Sequence, residues 1–164
     1  MIRLVFGMTF FAAAVGYALL RGGAPERWIA TVVLVMLVID RIGHPFLSAT
    51  DLATFDTLHL FIDFAGFGGL LLVMIRARRF WPLWACSFQL LSLASHATSA
   101  MSAQLPPAIP AILAIAPSYL ILASLVLGTA LHQARLKRHG SDPPWRISSR
   151  LAAGRGQPTT PINF

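Results

Sequence analysis

Residues 54–79 read TFDTLHLFIDFAGFGGLLLVMIRARR. From Phe55 to Ile75 the run is apolar, and about 20 such residues suffice for a helix to cross a hydrocarbon layer. It stops at a cluster of arginines. Yet its first half carries Asp56, His59 and Asp63. Successive helical residues turn by about 100°, so positions i, i+3 and i+7 fall within roughly 60° of one another. The three polar groups share one face, which continues through Gly66 and Phe67. Ala65 and Gly69 beside it allow a neighbouring helix to approach closely. The segment is both a candidate membrane span and one wall of something polar.

The rest of the chain fits that reading. Of 164 residues, 56% are hydrophobic and only 12% are charged, about half the charged fraction of an ordinary soluble domain. Five apolar segments stand out, over residues 4–20, 28–42, 55–75, 81–103 and 109–132. They are separated by RGG at 21–23, by Gly43 and Pro45, by RARR at 76–79 and by PPAIP at 106–110. Glycine and proline break helices at such places. Pro25 and Glu26 suit a first helical turn. The expected fold is all-α, a polytopic transmembrane helix bundle of five spans over residues 1–134, or four if the first is not a span. Arg3, the apolar run and Ala12–Ala14 resemble a signal peptide. Cleavage there would leave Arg21 and Arg27 outside, so a retained span is expected. Residues 135–164 form a basic tail, expected to be largely disordered after 147.

Charge sets the orientation. The net charge of +7 is concentrated between and after the apolar runs, whereas nucleic-acid binders spread bases over a folded face; nucleic acid is not an expected partner. Cytoplasmic loops carry an excess of Lys and Arg. The bias places the N-terminus out and the C-terminus in, as for a multi-pass protein of the bacterial inner membrane. Arg76, Arg78, Arg79, Arg135, Lys137 and Arg138 are expected to face anionic headgroups. Trp81 and Trp84 read as an interfacial aromatic belt, and His132 and His139 as solvated or lipid-facing. Common soluble-enzyme signatures, including phosphate-binding glycine loops, GxSxG and HExxH, are absent. The lone Cys86 excludes an intramolecular disulfide.

Three short stretches carry a resemblance: RGGAPER at 21–27, RRFWPLW at 78–84 and GSDPPWR at 140–146. Together they make the chain resemble a group of small polytopic bacterial inner-membrane proteins of uncharacterised function. The resemblance implies a polytopic architecture and no particular activity.

The fourth segment has a stripe matching that of the third. Gln89, Ser92, Ser95, His96 and Ser99 lie within an arc of about 120°. Asp63 and His96 are each about 10–12 Å from the outer end of their segments, and Tyr119 is about 15 Å into the fifth. Pro117 frees the carbonyl of Leu113 and bends that helix. The expected outcome is an outward-facing polar pocket of Asp56, His59, Asp63, Gln89, His96, Ser99 and Tyr119, with Asp40, His44 and Asp51 above it.

Such a pocket suits a structural or partner-binding membrane subunit, a homo-oligomer included, in which polar side chains join helices and no enzymatic chemistry is implied. The alternative is a cation- or proton-handling site. His59, Asp63 and His96 are candidate ligands for a divalent metal and candidate proton carriers. Haem b held by His59 and His96 is a further alternative. No cofactor is otherwise expected.

Overall fold

The computed structural model describes residues 2–46, 52–77, 79–100, 108–142 and 145, with some helix-end side chains outside that description. Its described residues form five helices and no strand: α1 (Ile2–Arg21), α2 (Ala24–Phe46), α3 (Leu52–Arg76), α4 (Trp81–Ala100) and α5 (Ala108–His139). Each covers one of the five apolar segments. Two of the helices, over Leu58–Arg76 and Ile115–His139, are long and apolar enough to cross a membrane, and Val5–Arg21 is a shorter apolar helix. The described length of α2 is interrupted at both ends by charge, with Glu26 and Arg27 near its start and Asp40 and Arg41 towards its end.

Consecutive helices pack side by side and α1 also packs on α5, closing a ring. Contacts fix the directions. Arg41 of α2 reaches the Met8 sulfur of α1 (3.9 Å), while Gly22 and Gly23 join the same two helices at the other end. Gly7 of α1 lies against Tyr119 of α5, and Gln133 of α5 donates to the carbonyl of Arg21. Both contacts advance together, so α1 and α5 run parallel and the intervening helices alternate.

The apolar core sits in the half of the bundle nearest the α3–α4 connection. It comprises Ala14, Val15 and Ala18 of α1, Ile29 and Ala30 of α2, Leu70 and Val73 of α3, Ala77 after it, Trp81, Ala85 and Cys86 of α4, and Ile121, Leu122 and Leu125 of α5. Burying a large aliphatic side chain contributes about 1.5–3 kcal/mol, so Ile29, Leu70 and Leu125, all fully buried, are the principal apolar ties. Many large apolar side chains face outward instead. Phe61 and Phe64 of α3 are each 68% exposed and Ile112 of α5 is 61% exposed.

Two glycines make the α4–α5 end possible. A Cβ on Gly128 would overlap the Trp81 ring, so only glycine lets the indole lie against α5. Gly140 adopts φ 69°, a left-handed conformation that ends helices readily only with glycine. Its N–H still bonds the Leu136 carbonyl at 2.9 Å. α5 therefore runs through the basic segment to His139, seven residues past the apolar segment that ends at 132, and the chain then turns back. Trp145 is half-buried against the core and bridges Ala77. The tail expected to be disordered after 147 lies outside the described residues.

Gly128→Val is expected to displace Trp81 and cost about 1–3 kcal/mol, as overpacking does. Gly68→Ala, where nothing lies within 4 Å, is expected to be neutral or stabilising by up to ~1 kcal/mol. Thermal unfolding of both variants in detergent checks the contrast.

Candidate functional site

Two polar clusters lie in opposite halves of the bundle. The first joins α2, α3 and α4. Asp63, on the inward stripe of α3, presents its carboxylate to three side chains of α4 at successive turns. Gln89 Nε2 donates to Oδ1 at 3.0 Å and approaches the Asp63 backbone carbonyl at 3.2 Å. Ser92 Oγ donates to Oδ2 at 2.8 Å. His96 Nε2 lies 3.1 Å from Oδ2. Ser95 Oγ donates to the Ser92 carbonyl at 2.6 Å. One turn before Asp63, His59 points to α2, with Nε2 2.7 Å from Asp40 Oδ1.

The second cluster closes the other end, and its centre is Arg79. The Arg79 side chain is only 4% exposed and occupies the α3–α4 connection. Its Nη1 donates to Glu26 Oε1, an oxygen that also accepts from Trp81 Nε1 at 3.1 Å. Its Nη2 donates to Asp142 Oδ2 at 2.7 Å. The same Asp142 oxygen accepts from Arg135 Nε at 3.1 Å and lies 2.7 Å from His132 Nδ1. Glu26 is fully buried and His132 nearly so. Gly23 presses on both: a Cβ there would lie 3.1 Å from Glu26 Oε2 and 3.1 Å from His132 Nε2. Among the described residues, Glu26 Oε2, Arg79 Nε and Arg135 Nη2 are buried without a hydrogen-bond partner. Burial tends to push the Asp142 carboxyl up, but hydrogen bonds from His132 and Arg135, with the charges of Arg79 and Arg135, outweigh it and hold it below the ordinary carboxylate value.

The structure unites part of the expected pocket and redistributes the rest. Asp63, Gln89 and His96 come together, with Ser92 added. His59 instead pairs with Asp40, which the sequence placed above the pocket. Tyr119 stacks on Phe10 of α1, with ring centroids 6.1 Å apart. The expected metal trio is thereby divided, and no group of three or more His, Cys, Asp or Glu side chains among the described residues is placed to hold a metal ion. The side chains of His44, Asp56 and Ser99, and the whole of Asp51 and Arg78, lie outside the described residues.

The larger correction concerns the bases. Arg79, expected to face headgroups, is buried in an ion cluster, and Arg135 is half-buried in the same cluster. His132, expected to be solvated, is 7% exposed. Arg76, Lys137 and Arg138 are exposed. Glu26, read from sequence as helix-start electrostatics, is instead a fully buried partner of Arg79. Three short stretches, RGGAPER, RRFWPLW and GSDPPWR, contribute Gly23 and Glu26, Arg79 and Trp81, and Asp142 and Trp145, which the fold gathers at one end. Comparison with protein-family models, curated proteins and solved structures finds no match.

Asp142 gives this end a pH dependence. Its carboxyl is more acidic folded than unfolded, so its stabilising contribution is complete above the unfolded value of about 4. The contribution is lost as pH falls through the lower, folded value. Thermal midpoints measured between pH 3 and 7 are expected to fall more steeply at the acid end for the wild type than for Asp142→Asn.

Proposed function

We propose that the chain is an integral protein of the bacterial inner membrane, with five spans, N-terminus out and C-terminus in. In this reading it serves as a structural or partner-binding subunit rather than as an enzyme. The observation that supports the subunit role is the engagement of Asp63. Three side chains of α4 meet its carboxylate oxygens, committing most of its polarity to joining α3 to α4.

Placement in a membrane draws on the outward apolar surface. Phe6, Leu20, Phe61, Phe64, Ile75 and Leu127 are all more than half exposed, a distribution suited to acyl chains rather than water. Arg21, Arg27, Arg76, Lys137 and Arg138 are exposed at the Arg79 end, where bases retained on the cytoplasmic side would meet anionic headgroups.

A second reading, proton handling, is favoured by one specific feature. The His59–Asp40 and His96–Asp63 pairs are partly exposed, with side chains 34%, 24%, 18% and 19% exposed. An imidazole beside a carboxylate is a donor–acceptor couple suited to passing a proton.

The two readings part on Asp63→Asn and His96→Ala. The subunit reading predicts that both lower the folded yield in membranes severalfold, since lost stability translates into lost abundance. Normal yields of monodisperse protein combined with altered proton uptake in proteoliposomes would favour the second reading and sink the first.

A further inference from the structure

At the Arg79 end, three basic side chains converge on a single atom. Arg79 Nη2 and Arg135 Nε donate to Asp142 Oδ2 at 2.7 and 3.1 Å, and His132 Nδ1 lies 2.7 Å from the same oxygen and 3.1 Å from Arg79 Nη2. These side chains come from two places on the folded bundle, the α3–α4 connection and the last turns of α5. The acceptor comes from beyond the helix, two residues past the glycine that ends it. A cradle of two guanidiniums and an imidazole made by the bundle is thus filled by a short return of the chain.

The donor supply exceeds what this acceptor uses. Among the described residues, Arg79 Nε and Arg135 Nη2 are buried in the same cluster with no acceptor, beside a Glu26 Oε2 with no donor. Buried guanidinium N–H groups are costly to leave unmatched. Without Asp142 the cradle would hold two guanidiniums against the single carboxylate of Glu26, so it remains cationic even with His132 neutral. A carboxylate presents two oxygens in a plane. A phosphate presents three or four in a tetrahedron, with more charge, and guanidinium forks suit it well.

We propose that Arg79, His132 and Arg135 form a binding site for a phosphate group, which the carboxylate of Asp142 occupies as an internal substitute. An incoming phosphate displaces that carboxylate, and the left-handed turn at Gly140 is the pivot on which Asp142 leaves. Occupation by Asp142 scales the apparent affinity for the ligand by the fraction of molecules whose cradle is open, so a tenfold loss corresponds to about one molecule in ten. The phosphate could belong to a lipid headgroup or be free in solution. The headgroup version rests on the membrane orientation proposed above; the free-phosphate version does not.

The test uses the full chain, purified in detergent or placed in nanodiscs. In one arm inorganic phosphate is titrated calorimetrically, with chloride at equal ionic strength as control. In the other, nanodiscs of phosphatidylcholine are compared with nanodiscs containing phosphatidic acid. Asp142→Asn is expected to bind phosphate about tenfold tighter than wild type or better in at least one arm, and Arg135→Gln in that background is expected to abolish the gain. A gain confined to the first arm assigns the site to free phosphate and leaves the membrane orientation untested. A gain confined to the second assigns it to a headgroup. Should Asp142→Asn not fold, hydrogen exchange of the wild-type Trp145 amide replaces it, and saturating phosphate or phosphatidic acid is expected to speed that exchange. No gain in either arm by a folded Asp142→Asn overturns the proposal, as does an unchanged Trp145 exchange rate where that variant cannot be made.

Discussion

A guanidinium that cannot lose its charge sits almost wholly out of solvent at Arg79. Removing such a group from water costs several kcal/mol, and the cost is offset only where opposite charges meet it with good geometry. Everything at that end of the bundle serves the condition. Glu26 comes from the first turn of α2, directly after the two-glycine connection. Asp142 comes from the far side of α5. Three parts of the chain more than fifty residues apart must therefore meet before Arg79 is neutralised. Smaller features follow from that meeting: the bare Cα of Gly128 beneath Trp81, the indole N–H on Glu26, and the left-handed Gly140 that turns Asp142 back.

The opposite half is built differently. Its interior is lined by Gln89, Ser92 and Ser95, and Asp63 gathers donors from three turns of α4. Such hydrogen bonds fix the register of one helix against the next, because each donor reaches the carboxylate only at one rotation and one height. Between the two clusters lies the layer of Ile29, Leu70 and Leu125, each with no exposed surface. Apolar burial in that layer supplies cohesion. The polar clusters at either side determine which arrangement is adopted.

Helices were legible in the sequence because they depend on local signals. Apolar run length, Pro25 and Glu26 at a helix start, the RARR stop and the glycine after His139 are all readable within a few residues. The α3–α4 stripe was legible for a related reason: two antiparallel helices joined by a short connection have predictable relative depths, so Asp63 could be matched with Gln89 and His96. The partners of His59 and Tyr119 were not, since they depend on how α2 and α1 rotate about their own axes. The Arg79 cluster escaped for a deeper reason. A base next to an apolar run looks the same in sequence whether it faces headgroups or turns inward, and only an acid contributed from a distant part of the chain decides the outcome. Glu26 and Asp142, the two acids outside the expected pocket and its surroundings, were in retrospect the available hint.

The dependence on Arg79 is most directly measured by a double-mutant cycle of Glu26→Gln and Arg79→Met, with unfolding free energies taken in mixed micelles. If the buried pair organises this end, each single change costs about 3–5 kcal/mol, because it leaves the other charge buried and alone. The double variant then loses much less than the sum, with a coupling of about 2 kcal/mol or more. Costs that add to within ~0.5 kcal/mol would contradict the account and return Arg79 to the headgroup surface that its sequence context suggests.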